Sequence, residues 1–429
     1  MSFEAEELKE IKSSYREGGH LRLYSGGTKA VGSFSEIKKA PEVRKELLKA
    51  GKKAAELQKE KNNLKKAPVI KDQELIKAED DPRNYSLEEK KELVQNYNEL
   101  ALKQEHVINT RLSYRDFYSH RTFINSEGTE IEYELLTGMI TGVVFARKGD
   151  VVQSKRISFG AYPEFSSLTG REEKLREEIN KLQQMLDAKP IQAGSFPVII
   201  NPNLAAVFIH EAFGHLSEAD GIENNPSFRK KLQMGKRLGK DILTVIDDPT
   251  LNGKPGYYKY DDEGQKGRRT VLIDKGVVSG RLHSRETAAS FSEPLSGNMR
   301  AVDCYYTPLI RMSNIYIDAG DSSPEELFNS IDNGYYLVNG KGGQTTGDQF
   351  TFGAEYGYKI ENGKKKEMVR DINISGELFS TLKRISMIGN DISFNEIGGC
   401  GKGSPQQLNI FSGMGAPQIK IDQVNVGGK

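Results

Sequence analysis

Tryptophan is absent from this 429-residue sequence, and cysteine occurs only at Cys304 and Cys400. Two thiols in so long a chain exclude a disulfide framework, and a reducing, cytoplasmic setting is the expectation. No excess of charge of either sign exists: 61 Lys+Arg face 60 Asp+Glu, a formal net charge of +1. Dedicated nucleic-acid binders carry a strongly basic domain or stripe, so no nucleic-acid partner is expected. Long hydrophobic runs are missing too. LLTGMITGVVFA at 135–146 falls well short of the ~20 residues that span a bilayer, and mean hydropathy is −0.58, so no membrane association is expected. The opening MSFEAEELKEIK is acidic where a secretory signal needs an apolar core. Glycine, by contrast, is plentiful at 43 residues, which points to many tight turns and a β-rich part.

At about 150 residues per domain the length suits two or three domains. HLRLYS (20–25) alternates like a short strand, and 41–64 has helical periodicity with Pro41 in its first turn and Val43, Leu47, Leu48, Ala54 and Leu57 on one face. Residues 65–85 hold Pro68 and Pro82 with little periodicity and read as a crossing segment or extended linker. Ser86 and Glu89 form a capping box that opens a helix. Residues 107–160 alternate repeatedly between glycines, the pattern of an antiparallel meander. A charged helix over 171–188 follows, with Thr169 and Glu172 as its box and Pro190 closing it. Beyond FPVII (196–200) come a helix opened by Pro202 and many short strands, including a hairpin turning at Asn362-Gly363. The expected fold is α+β, helices packed on mainly antiparallel sheets in two lobes: an N-terminal lobe of residues 1–190 and a β-rich C-terminal lobe of 191–429.

Chemistry concentrates in HEAFGHLSEAD (210–220), directly after the apolar run LAAVFI. Burying His210, Glu211, His215, Glu218 and Asp220 is costly unless they are paired or hold a metal. A zinc hydrolase suits them, with imidazole ligands and a neighbouring Glu that takes a proton from water. The familiar helical zinc motif spaces its histidines four apart; here they are five apart. An ideal helix separates such residues by about 140° and about 7.5 Å of rise. A π-bulge or an early helix end at Gly214 absorbs the extra residue, so a widened or broken turn is expected between Glu211 and His215. The competing reading is a pair of hydrogen-bonded core histidines.

Three protein ligands and a water make the usual catalytic zinc site. Glu218 and Asp220 are nearby candidates for the third; Cys400 is the distant one, in the glycine-rich stretch FNEIGGCGKGSPQQ, where a thiolate can closely approach an ion. Cys304, in AVDCYYTP, reads as a small buried hydrophobe in a strand-like stretch. Arg300 and Arg311 fit a substrate carboxylate or structural ion pairs equally. Gly342 and Gly343 read as a turn, with a backbone edge for an extended substrate as the other reading.

HEAFGHLSEAD after a strand, GGCGKGSPQ near the C-terminus and a terminal VGG together resemble the TldD/PmbA family of zinc metalloproteases, once described as modulators of DNA gyrase. VIDDPTLNGKPG, YDDEGQKGRRTVLIDKGVVSGRL, GNMRA, PLIRMSNIYIDAG and IGNDI follow in the family's order, and the resemblance is to its TldD side, since the PmbA (TldE) partner lacks the metal motif. It implies a Zn²⁺ ion on His210, His215 and Cys400 with Glu211 as the catalytic base. It also implies hydrolysis of unfolded or short peptides with low sequence preference, in maturing modified peptides or degrading a flexible antitoxin. Dimer assembly is expected too, as a heterodimer with a TldE/PmbA-like subunit or as a homodimer. The chain starts close to the segment SYREGGHLRLYSGGTKAVGSF, so a shortened N-terminal lobe is expected. The alternative function is that of a non-catalytic peptide-binding partner subunit.

Overall fold

The computed structural model describes residues 1–25, 28–57 and 63–428. Where the sequence alternates most regularly, Val107–Ile124, Glu130–Lys148 and Val151–Tyr162 form the antiparallel meander. The strands Ser2–Glu4 and Glu7–Glu10 extend its outer side. In the expected crossing segment, Lys71–Glu74 forms a short strand instead, parallel to Glu130–Tyr133. Four residues with no alternation of their own carry too little local signal, and the edge they complete decides their state.

Helices Leu87–Leu102 and Glu172–Asp187 pack on this sheet, burying Val94, Tyr97, Leu175, Ile179 and Leu182 against Ile140, Val144 and Phe159. The Ser86–Glu89 box is present: the Glu89 amide donates to Ser86 Oγ at 3.2 Å and the Ser86 amide to Glu89 Oε2 at 2.7 Å. The Thr169–Glu172 box does not form. A 3₁₀ turn over Phe165–Leu168 delays the helix, leaving Arg171 as its N-cap without a side-chain bond, and the Thr169 hydroxyl donates to the Ser166 carbonyl. The helix ends at Ala188, ahead of Pro190, which lies in a two-residue strand.

Strands Gly19–Ser25 and Thr28–Phe34 pair as a hairpin covered by the helix Ala40–Leu57; of the helix expected to residue 64, residues 58–62 lie outside the described ones. This unit leans on the C-terminal half through Arg22 to Glu263 (3.1 Å) and Lys29 to Glu286 (2.7 Å).

In the C-terminal half, strands Asn333–Thr346, Gly194–Ile200, Ile419–Gly427, Ile372–Glu377 and Gln349–Glu361 pair in that order, and the last pairs again with the first, closing a barrel-like ring. The hairpin turn falls at Asn362-Gly363, both at positive φ (48° and 73°), as its residue types require. A second sheet runs Val277–Val278, Thr270–Asp274, Val245–Asp247, Asn314–Ile317, Gly413–Ala416 and Ser393–Phe394. Between ring and second sheet lies the helix Pro202–Ile209, with Leu204, Ala205, Phe208 and Ile209 all buried. Phe208 meets Phe350 and Phe352 edge-on, at ring-centroid distances of 5.4 and 6.1 Å. Residue 210 is thus delivered to a fixed point between two β layers. Cys304 differs from expectation: it is half-buried in a turn rather than in the core of a strand.

Candidate metal centre

Asn201 caps the helix by accepting from the Leu204 amide at 3.0 Å, and Pro202 occupies its first turn. At His210 the α-helical pattern widens into a π-helical turn over His210–Gly214, and one further short turn runs His215–Ser217. This is the widened turn expected from the five-residue spacing. The part played by Gly214 is spatial rather than conformational. Its backbone is ordinary right-handed helix (φ −53°, ψ −51°), but a Cβ would stand 2.1 Å from Met312 Sδ and 2.9 Å from Ile315 Cδ1. Lacking that carbon, the turn presses against the second sheet. The chain leaves the helix at Glu218, where Leu282 takes both free backbone groups: its amide donates to the Ser217 carbonyl and its carbonyl accepts from the Ala219 amide.

The π-turn brings the two imidazoles to a centroid separation of 5.3 Å at 82°. Cys400 arrives from the other end of the chain on a hairpin, Gly399–Lys402 paired with Gln407–Phe411, rather than in an irregular loop. Its sulfur lies 3.2 Å from His215 Nε2. One donor atom each from His210, His215 and Cys400 fall within 4.8 Å of one another. Glu211 is half-buried, with Oε2 4.0 Å from His215 Nε2. Glu218 accepts from His215 Nδ1 at 3.1 Å, whereas Asp220 touches neither histidine and pairs with Lys402 at 2.6 Å.

His210 is buried, and both its ring nitrogens lack a hydrogen-bond partner among the described residues. Buried polar atoms are normally satisfied. An imidazole with two idle nitrogens facing a second imidazole and a thiol is what a metal ligand looks like, and a borderline-soft N, N, S donor set suits zinc. Electrostatics agree. Burial, aided by the neighbouring His215, pushes the His210 imidazole down to about 3, so its lone pair stays free. At His215 burial acts downward, but the Cys400 sulfur and the Glu218 carboxylate outweigh it and push the ring up to about 10. Cys400 and Glu218 together thus favour a positive charge on the His215 ring. Burial also raises the Glu211 carboxyl above the usual range.

Residues 193–428 match the model of the PmbA/TldA metallopeptidase C-terminal domain, and residues 80–182 that of the central domain. A metalloprotease of Methanocaldococcus jannaschii is 36% identical over 404 residues, covering 92% of this chain and 88% of its own. Another from Synechocystis is 36% identical over 349 residues, 81% of this chain and 75% of its own. A Saccharolobus solfataricus protein named zinc metalloprotease TldD homolog is 34% identical over 320 residues, 74% of this chain and 71% of its own.

The chain belongs to the TldD/PmbA metallopeptidase family.

Solved structures extend the family likeness to the fold. A Thermotoga maritima protein described as a candidate modulator of a DNA gyrase superposes with a TM-score of 0.80 at 20% identity, covering 99% of this chain and 92% of that one. TldE from Thermococcus kodakarensis gives 0.73 at 20% identity, with coverage of 100% and 93%.

Around the cluster of His210, His215 and Cys400 stand residues whose sequence context leaves their roles open. Arg300 and Arg311 form no ion pair among the described residues. Arg311 is fully buried and donates to the carbonyls of Cys400 and Gln407, fixing the hairpin; Arg300 donates to those of Phe411 and Met312. Gly342 and Gly343 lie not in a turn but in the strand Asn333–Thr346, beside a bulge. That strand pairs with Gly194–Ile200 only over Tyr335–Leu337. Asn201 and Asn203 side chains accept the next amides, at Asn339 and Gly340, and no strand covers the following edge among the described residues. The Thr345 hydroxyl donates to the Glu211 carbonyl, which sets this open edge beside the π-turn. Lys402 also stands here, and its only sequence signal is a position two beyond Cys400 on a strand.

Proposed function

We infer that the protein is a zinc-dependent peptidase in which His210, His215 and Cys400 hold the ion and Glu211 is the general base. The observation that carries this reading is the orphaned His210 ring, which has a reason to be buried only if its nitrogen binds something. When bound, zinc supplies Lewis acidity, which acidifies water and polarises a scissile carbonyl. The protein's own part follows from the geometry. Glu211, beside His215 with a carboxyl that burial raises above its ordinary value, takes the proton of the attacking water and returns it to the leaving amine. Glu218 holds the His215 ring by Nδ1, leaving Nε2 directed towards Cys400. An extended peptide lies along the open strand edge at 341–346, held through its backbone, which accounts for hydrolysis of unfolded or short peptides with little side-chain preference.

Glu211→Gln is the deciding experiment: zinc stays stoichiometric while turnover of an unstructured peptide falls roughly 10²–10⁴-fold. Retained turnover rejects the base assignment. The Cys400–His215–Glu218 chain of contacts also fits a thiol nucleophile. That reading gives His210 no task, and hydrolysis unaffected by a chelator would favour it. The name TldE borne by one structural neighbour supports a dimer with a TldE/PmbA-like subunit or a second copy; a non-catalytic peptide-binding subunit, by contrast, purifies without zinc. A cytoplasmic setting and a division of the lobes near residue 190 belong to the same proposal. No described helix is long and apolar enough to cross a membrane.

A further inference from the structure

Beside the three donor atoms lies a charge cluster of which only Glu218 has so far been given a task. Lys402 ends the strand that carries Cys400, with its side chain 19% exposed. Its ammonium donates to Glu218 Oε2 at 2.9 Å, to Asp220 Oδ1 at 2.6 Å and to the Ile310 carbonyl at 3.1 Å. Those three acceptors use all three of its protons. The same Glu218 oxygen meets His215 Nδ1 at 3.1 Å. One carboxylate oxygen is therefore shared between an ammonium on the cysteine hairpin and the ring of a histidine in mid-chain.

The arrangement has a mechanical consequence. Glu218 is buried, and its other oxygen, Oε1, has no partner among the described residues. No hydrogen bond through that oxygen holds the carboxylate against His215, whereas Lys402 pins the oxygen the histidine uses. Which imidazole nitrogen faces a metal is set by what holds the other one, so the clamp on Glu218 also fixes Nε2 towards Cys400. The hairpin needs a tie as well. Its other ties run elsewhere: Arg311 and Arg300 donate to its backbone carbonyls and the Gln407 side chain bonds Val302 and Thr307, so none of these reaches the histidine segment.

Resting on the metal-centre reading above, we propose that Lys402 is a positioning residue. Its ammonium clamps Glu218 against His215 and ties the Cys400 strand to the histidine segment, so that the three donors are spaced for one ion before it binds. Lys402 touches neither substrate nor reacting atoms. A purely structural lysine would stabilise the fold without changing how the donors are presented.

The test uses the full chain with Lys402→Met, Lys402→Arg and, in case the first fails to fold, the charge-balanced pair Lys402→Met/Asp220→Asn. Zinc affinity is measured by competition with a chromophoric chelator, donor geometry by the visible spectrum of the Co²⁺-substituted protein. In the metal-stripped state, a Cys304→Ser background isolates the rate at which Cys400 is alkylated, and thermal midpoints serve as the control for folding. Lys402→Met is expected to lower zinc affinity roughly 10–100-fold, alter the cobalt spectrum and speed alkylation several-fold. Arginine, which keeps the cation, restores part of the affinity. Folded methionine variants that match the wild type in all three readouts overturn the positioning role alone. A wild type that takes up no metal overturns the metal-centre reading and this proposal with it.

Discussion

In the meander of residues 107–162 each long strand pairs with its neighbour in sequence, through short returns at Gly128 and Gly149. At the candidate metal centre the partners of His215 include Cys400, 185 residues away. Glu218, the carboxylate on its ring, is gripped by Lys402, 184 residues away. The meander is therefore fixed by alternation and turn chemistry that act locally. The centre is fixed by two β layers that hold a helix and a hairpin face to face. Local structure tolerates change one residue at a time; a centre assembled across the fold depends on every element that supports it.

Cys400→Ala should widen that contrast most. It is expected to lower metal affinity by roughly a hundredfold or more while leaving the circular dichroism of the meander unchanged. Elemental analysis showing full zinc would remove Cys400 from the ligand set. Gly214→Ala comes next, because its Cβ collides with Met312 and Ile315. A cost of about 2–3 kcal/mol in denaturant unfolding is expected, together with loss of metal; a neutral substitution would mean that the π-turn is not held by that contact.

Asp247 brings pH into the comparison. It accepts from the Ser313 amide at 2.7 Å, the Ser313 hydroxyl at 2.6 Å and Asn298 Nδ2 at 2.8 Å, holding the loop that leads into the strand behind the π-turn. Burial pushes its carboxyl up to about 6, above the ~3.9 of an unfolded chain. A raised acid contributes stability that is full below the unfolded value and lost as pH rises through the folded one. Between pH 4 and 7 the wild type should therefore lose on the order of 2 kcal/mol relative to Asp247→Asn. Parallel pH curves for the two proteins would rule this out. Gly149→Ala, at a φ of +57° with nothing within 4 Å, should cost only about 1 kcal/mol of backbone strain. A larger loss, or any loss of metal, would show the meander to be coupled to the centre after all.

How much was legible in the sequence follows the same division. The Ser86 box, the meander, the Asn362-Gly363 turn and a widened or broken turn before His215 could all be read from spacing, because each depends on residues close together in the chain; that the turn is π-helical came from the structure. The Thr169 box was misread because a preceding 3₁₀ turn moved the start of the helix. Gly342 and Gly343 were misread as a turn because nothing local reveals the strand Gln349–Glu361 that pairs with them. Cys304 was placed in the core because its aromatic neighbours look strand-like, yet it lies in a turn.

By itself the sequence determined that two histidines and a glutamate share one segment, and that a fourth residue between the histidines calls for a widened or broken turn if both are to face one point. Helical geometry sets that condition, because residues five apart on a regular helix point about 140° away from each other. Only the tertiary structure decided that Cys400 faces His215, that Glu218 rather than Asp220 holds the ring, that Lys402 binds both carboxylates and that Arg311 braces the hairpin. Those contacts arise when the barrel and the second sheet close on the same helix, and no pattern confined to a few neighbouring residues encodes a distance across the chain.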